Sequence, residues 1–228
     1  MLLIVAVSGC TPECRQPDTS NVAVEVQPAR LDEALWQANR ADLDGANREL
    51  LQEFGAFYAI YVRDILRLGA PEDPGMGVRL GGFLSDATIR DVFETCAAEF
   101  ADLSMETATL EQALRNYAHY FPERQVPQVV TCMSGFNYSV IATEDVLAVS
   151  LEMYLGAGSE YYRRQGLPAY QVRHMHREHL AMDALRAWLA TEFPLPANEK
   201  ELVTHMVHEG KLLYLMDAVF PCAPDSLK

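Results

Sequence analysis

Residues 128–151 carry three short runs rich in β-branched residues, and the long stretches on either side repeat their apolar residues every three or four positions. This change of period is the strongest constraint on the fold. Alternation at two residues suits a half-buried strand, and a 3.6-residue repeat suits one face of a helix. The runs Gln128–Met133, Asn137–Ala142 and Val146–Leu151 are split by Ser134-Gly135 and Thr143-Glu144-Asp145. Short β-rich runs separated by turn residues predict a three-strand antiparallel meander. Helices are expected over 31–39, 47–69, 86–103 and 107–120 before it, and over 171–191 and 198–219 after it. In the second of these, Leu50, Leu51, Phe54, Phe57, Tyr58, Tyr61, Ile65 and Leu68 form one stripe that Gly69 and Pro71 end. Asp86 and Thr107 are placed as amino-terminal caps. Residues 71–82, rich in Pro and Gly, read as a loop. The class is α+β, mostly α-helical with a small three-strand antiparallel meander in the middle.

The amino terminus reads as an address. Leu2 to Val7 is apolar, Ser8 and Gly9 are small, and Cys10 follows. That order matches a secretory h-region and cleavage site. Val7-Ser8-Gly9-Cys10 resembles the bacterial lipobox, in which the cysteine takes a diacylglycerol on its thiol and becomes residue one of the mature chain. Residues 1–9 are then a signal peptide, 10–21 a polar tether, and 22–228 a single domain. The tether holds Pro12, Pro17 and a run of polar residues, the composition of a spacer between a bilayer and a folded unit. Several acyl chains, at about 0.8 kcal/mol per buried methylene, exceed what stable anchoring needs. The h-region is short and no Lys or Arg precedes it, so the natural start is expected further upstream.

The remaining cysteines, Cys14, Cys96, Cys132 and Cys222, allow three pairings in an oxidising compartment. Cys96 and Cys132 sit within apolar patterns and read as small buried thiols. Charge narrows the partners. Thirty-two Asp and Glu against 18 Lys and Arg give a formal net charge of −14, which disfavours nucleic acid and anionic lipid surfaces.

Candidate chemistry clusters late in the chain. His205, His208 and Glu209 occupy i, i+3 and i+4, close enough on a helix to share one metal ion. Thr204 stands where a zinc-binding H-E-x-x-H would need its first histidine if His208 were its second. On a helical wheel the apolar face holds Leu202, Val203, Met206, Val207, Gly210, Leu213 and Tyr214, with His205 on its flank and His208 nearly opposite. Two solvated imidazoles are the simpler reading, as for His174, His176 and His179 beside Arg173, Arg177 and Glu178. Asp217 falls within the apolar stripe, and a carboxylate buried there must be paired, hydrogen-bonded or protonated. The sequence contains no G-x-S-x-G elbow, phosphate loop, dinucleotide fingerprint or C-x-x-C knuckle, so no cofactor and no small-molecule substrate is assigned. Tyr117, Tyr120, Tyr161, Tyr162 and Tyr170 read as core and cap residues rather than a ligand box.

Several segments, in order, resemble the gliding motility lipoprotein GldB family. They are the lipoprotein signal, Arg30–Trp36, Phe54–Tyr58 leading to Asp64–Leu66, and the Tyr120–Pro122 break. Phe136–Tyr138, Leu151–Gly156, Pro168–Tyr170 and Glu209–Tyr214 continuing through Asp217 to Pro221 complete the series. The resemblance implies a lipid-anchored envelope protein, with Cys10 as the lipidated residue, working with other proteins of the gliding and secretion apparatus; Thr11 after Cys10, not the aspartate that some bacteria use for inner-membrane retention, points to the outer membrane, with the domain expected to face the periplasm. It makes Gly210, Lys211, Tyr214, Asp217 and Pro221 the family-motif residues, and it supplies no catalytic residue. Family members continue past the segment matching Asp217–Pro221, so this chain is expected to be incomplete at its carboxyl end, which would leave apolar surface uncovered on the last helix. The rival class is a metallopeptidase-like hydrolase, or an inactive relative of one, with His205, His208 and Glu209 as the metal set.

Overall fold

The structure, a computed structural model, describes residues 16–196 and 198–224. Its elements run β1 (Ala29–Arg30), α1 (Leu31–Trp36), α2 (Leu43–Ile60), α3 (Met76–Ser85), α4 (Ala87–Glu99), α5 (Ser104–Tyr120), β2 (Gln128–Cys132), β3 (Val140–Ala142) and β4 (Val146–Ser150). Then come α6 (Glu160–Arg164), α7 (Ala169–Val172), α8 (Leu180–Glu192) and α9 (Leu202–Val219). The chain is therefore α+β, and mainly helical, as the periods predict.

The three expected strands exist, but their pairing is not a meander. The sheet has four strands in the order β1-β2-β4-β3. β2 pairs with β4 in parallel, Gln128 opposite Val146 and Cys132 opposite Ser150. β1 adds in parallel to β2, and only β3 runs antiparallel, against β4. The physical reason is burial. β4 is buried at every position and β2 at all but its first, the unbroken apolar pattern of strands covered on both faces. β3 is half-buried throughout and takes the edge. The expected second strand also begins later, because 133–139 is used as the crossing that carries β3 to the far side of β4.

β1 is held by chemistry that begins in the segment Arg30–Trp36. The Arg30 guanidinium grips the buried Asp32 carboxylate with Nε and Nη2 at 3.1 and 2.7 Å. Thr131 on β2 donates its hydroxyl to the same carboxylate. One acid thus joins strand, helix and sheet.

The helical periods hold with corrections at their ends. α2 does not run unbroken to Gly69: it bends at Gly55, whose φ of 54° favours glycine, and continues as a π-helical turn over Tyr61–Ile65. Asp86 caps α4, accepting from the amides of Thr88 and Ile89. Thr107 caps nothing, because α5 already begins at Ser104, whose amide donates to Asp102. Residues 76–82, expected as part of a loop, instead lie in α3. Its Met76, Leu80 and Leu84 are buried at helical spacing, and the apolar face outweighs the glycines. Gly77 is needed because a Cβ there would lie 2.9 Å from the Asp44 backbone nitrogen. The expected helix over 171–191 divides into α7, a 3-10 turn at Arg177–His179, and α8. α8 packs on β3 and β4 and is flanked by α5 and α9. Among the described residues, no helix is long and apolar enough to cross a membrane.

Candidate functional site

α9 is apolar on two sides, and this decides where the functional surface lies. Leu212, Met216 and Val219 are buried against the domain, with Phe220 just beyond. The buried Asn116 of α5 fastens this end, its Nδ2 donating to the Val219 carbonyl at 2.9 Å. The wheel assigned the other side to the core, and the structure corrects this. Leu202, Val203, Met206, Val207, Leu213 and Tyr214 all face outward; Met206 is 65% exposed and Tyr214 74%. Gly210 sits between them, with nothing within 4 Å of where a Cβ would be. Beside this row lies an apolar groove of ≈ 420 Å³, walled by Phe121, Phe193, Val207, Leu212, Tyr214 and Leu215. A wheel measures which residues share a face; it does not say which of two apolar faces the domain covers.

The other sequence candidates redistribute accordingly. Asp217, expected buried, is exposed on the outer face. His208, expected opposite the core face, is half-buried and lines the groove. His205 is exposed beside the Glu199 carbonyl at 3.3 Å. Glu209 turns to Arg186 of α8, 3.2 Å away across the surface. The trio does not converge, and among the described residues no group of three His, Cys, Asp or Glu side chains is placed to hold a metal ion. Lys211 is exposed, and Pro221 is half-buried in the turn after α9. Cys10 lies outside the described residues. Of the tyrosines, Tyr117 and Tyr162 are core residues, whereas Tyr120 and Tyr170 are exposed.

Of the histidines before α8, His174 is exposed and His176 half-buried, as a solvated set would be, and only His179 departs from that reading. His179 is buried, and its Nε2 lies 3.5 Å from His174 Nδ1. Arg173 donates to His174 Nε2, so the His174 proton sits on Nδ1, facing His179. Nearby, Tyr154 donates to Asp183 at 3.2 Å, and burial raises the Asp183 carboxyl above its usual range.

A second buried centre escaped the wheel altogether. Glu152, in the 3-10 turn that ends β4, is fully buried. Its Oε1 accepts from the Ser134 amide at 2.7 Å, the Ser134 hydroxyl at 2.7 Å and the Phe136 amide at 3.1 Å, while Oε2 has no partner among the described residues. Burial pushes this carboxyl above its ordinary range, against the hydrogen bonds that favour its ionised form. Tyr162 donates to the Glu152 carbonyl, and Tyr61 donates to the Met133 carbonyl beside Ser134. Two resemblance segments, Phe136–Tyr138 and Leu151–Gly156, therefore meet at one carboxyl that shapes the crossing between β2 and β3. Their sequence proximity to Ser134-Gly135 was the available signal, but a pairing 18 residues apart is not periodic.

A family model described as "Gliding motility protein GldB" matches residues 13–228. No curated protein and no solved structure matches the chain.

Proposed function

The chain belongs to the GldB family of gliding motility proteins, and on that premise we propose that it is a lipid-anchored protein of the cell envelope that works by binding a partner protein of the gliding machinery. The observation that carries the binding role is the outer face of α9. Its apolar side chains at positions 203, 206, 207, 213 and 214, with Gly210 between them, have the spacing of a helix-in-groove contact. The occupant is an amphipathic helix of the partner, lying along α9 with its small or apolar side chains over Gly210. A second copy of this chain is disfavoured, because each copy carries a net charge of −14 and like charges repel.

Anchoring is read from Val7-Ser8-Gly9-Cys10 and the polar tether that follows, and the family's designation as a lipoprotein family supports it. Thr11 after Cys10 is not the aspartate that some bacteria use to retain lipoproteins in the inner membrane, which favours the outer membrane and a periplasmic domain. The role is non-enzymatic, and Asp217 and the histidines take no catalytic part in it.

Two measurements test the reading. A fatty-acid analogue should label the protein in a bacterial host and cease to label Cys10→Ser; persistent labelling of that variant removes the anchor. In a gliding bacterium, replacing the native gene with Met206→Ser/Tyr214→Ser should abolish spreading while the protein stays folded and lipidated. Normal spreading of that strain would remove α9 as the contact.

A further inference from the structure

The groove beside α9 combines apolar walls with a local charge opposite to that of the chain. It lies where the ends of α5 and α8 meet α9. Phe121 follows α5, Phe193 follows α8, and their rings pack with centroids 5.1 Å apart. The Arg124 guanidinium sits 4.5 Å from the Phe193 ring centroid and is held by Glu192 at 2.7 Å, which fixes that ring. Val207, Leu212, Tyr214 and Leu215 supply the α9 wall, whereas Met206 and Leu213 of the outward row do not line the groove. Its ionisable lining is Lys211 and His208, and none of the described residues around it is an acid. Acids on the flanking helices are already engaged, Glu192 with Arg124 and Glu209 with Arg186. Lys211, exposed at the rim, is in no ion pair among the described residues. On a chain of net charge −14, an unpaired cation beside an apolar groove is the exception.

We propose that this groove binds a single-chain fatty carboxylate, its alkyl chain lying between Phe121, Phe193 and the apolar wall of α9, and its carboxylate meeting the Lys211 ammonium. The walls supply the affinity, since each methylene taken out of water strengthens binding about fourfold. Lysine suits the head group: its own methylenes line apolar surface while its ammonium stays in water. The groove's ≈ 420 Å³ is near the small end of ligand sites, about 300–1,000 Å³, which fits one alkyl chain and excludes a two-chain phospholipid. An apolar side chain from a partner protein would fill the walls and leave Lys211 unpaired, whereas the carboxylate satisfies both. The site is separate from the partner contact proposed above, which uses the outward row, so either can fail without the other.

The test is titration of the full chain with decanoate, and separately with decan-1-ol as its uncharged counterpart, followed by amide NMR shifts. Decanoate should give saturable shifts at Phe193, Gly210, Lys211 and Leu215. An exposed ion pair contributes up to about fivefold in affinity, and a reversed charge also repels. Lys211→Glu should therefore weaken decanoate about tenfold while leaving decan-1-ol within about twofold. Val207→Asp places a charge on the wall at a position that is 52% exposed, so it should weaken both probes with an unchanged urea midpoint. Val78→Ser, which removes an exposed apolar side chain elsewhere, should change neither. Shifts that do not saturate, or that fall only on other residues, overturn the site. Equal effects of Lys211→Glu on the two probes overturn the carboxylate. A dimer in sedimentation that dissociates on Val207→Asp places a second copy in the groove and overturns the proposal as well.

Discussion

Replacing Glu152 by alanine should be among the most damaging single changes available in this domain. The substitution orphans the amides of Ser134 and Phe136, which now donate to Oε1. The Ser134 hydroxyl is spared, because it can still donate to the Tyr138 carbonyl at 2.9 Å. An unsatisfied buried donor costs about 1–3 kcal/mol, so two cost about 2–6 kcal/mol, with a central value of about 4 kcal/mol. At about 2–4 °C per kcal/mol for a domain of this size, the melting temperature should fall by about 10 °C. Glu152→Gln keeps the acceptor and removes the buried charge, but it puts an amide NH₂ where Oε2 has no partner. It should lose only about 1 kcal/mol, well short of the alanine variant. The pH dependence separates the two effects. The folded carboxyl titrates above its ordinary 4.5 because it is buried. Its contribution is therefore complete below the unfolded value and is lost as pH rises through the folded one. The stability of the wild type relative to Glu152→Gln should grow as pH falls from 7 towards 4.5. Urea unfolding of the three proteins at several pH values measures all of this. A loss below about 1 kcal/mol for Glu152→Ala, or parallel pH profiles for wild type and Glu152→Gln, would refute the assignment of Glu152 as a buried, proton-taking acceptor.

Gly210→Ala should stabilise the isolated protein by about 0.5–1 kcal/mol, since helical Gly is worse than Ala and nothing obstructs a Cβ, while weakening gliding because a partner helix no longer fits closely; a loss in thermal stability contradicts the first half. Met206→Ser/Tyr214→Ser should leave stability within about 0.5 kcal/mol of wild type, as both side chains are exposed; a large destabilisation would mean that the face is covered within this chain. Asn116→Ala should cost about 1–3 kcal/mol, because the Val219 carbonyl loses its donor, and limited proteolysis should then cut near Phe220.

Much of this protein was legible in its residues. The helices around Leu50, Val92 and Leu185 were set by their repeats, the Asp86 cap by its side chain, and the boundaries near Pro194 and Pro221 by missing amide donors. The buried thiols of Cys96 and Cys132 followed from apolar neighbours. These are local properties, decided within a turn or two of chain. α3 was missed because glycine and proline counts hid Met76, Leu80 and Leu84, whose burial outweighs the cost of the glycines.

What the amino-acid order determined by itself is the kind and sequence of most elements and membership of the GldB family over residues 13–228. Only the tertiary structure decided which strands pair, which carboxyl is buried, and which side of α9 is covered. Val129, Val130, Val146 and Val149 suit either a meander or a parallel pair, and the choice went with burial of successive positions on both strands. Asp217 and Glu152 look alike in one dimension, yet one is exposed and the other enclosed by Ser134 and Phe136. α9 offers two apolar faces of similar quality, and the domain takes the one that reaches Asn116, 103 residues earlier in the chain. Periodicity is a short-range signal, whereas pairing and burial are settled by contacts between residues that sequence spacing does not relate.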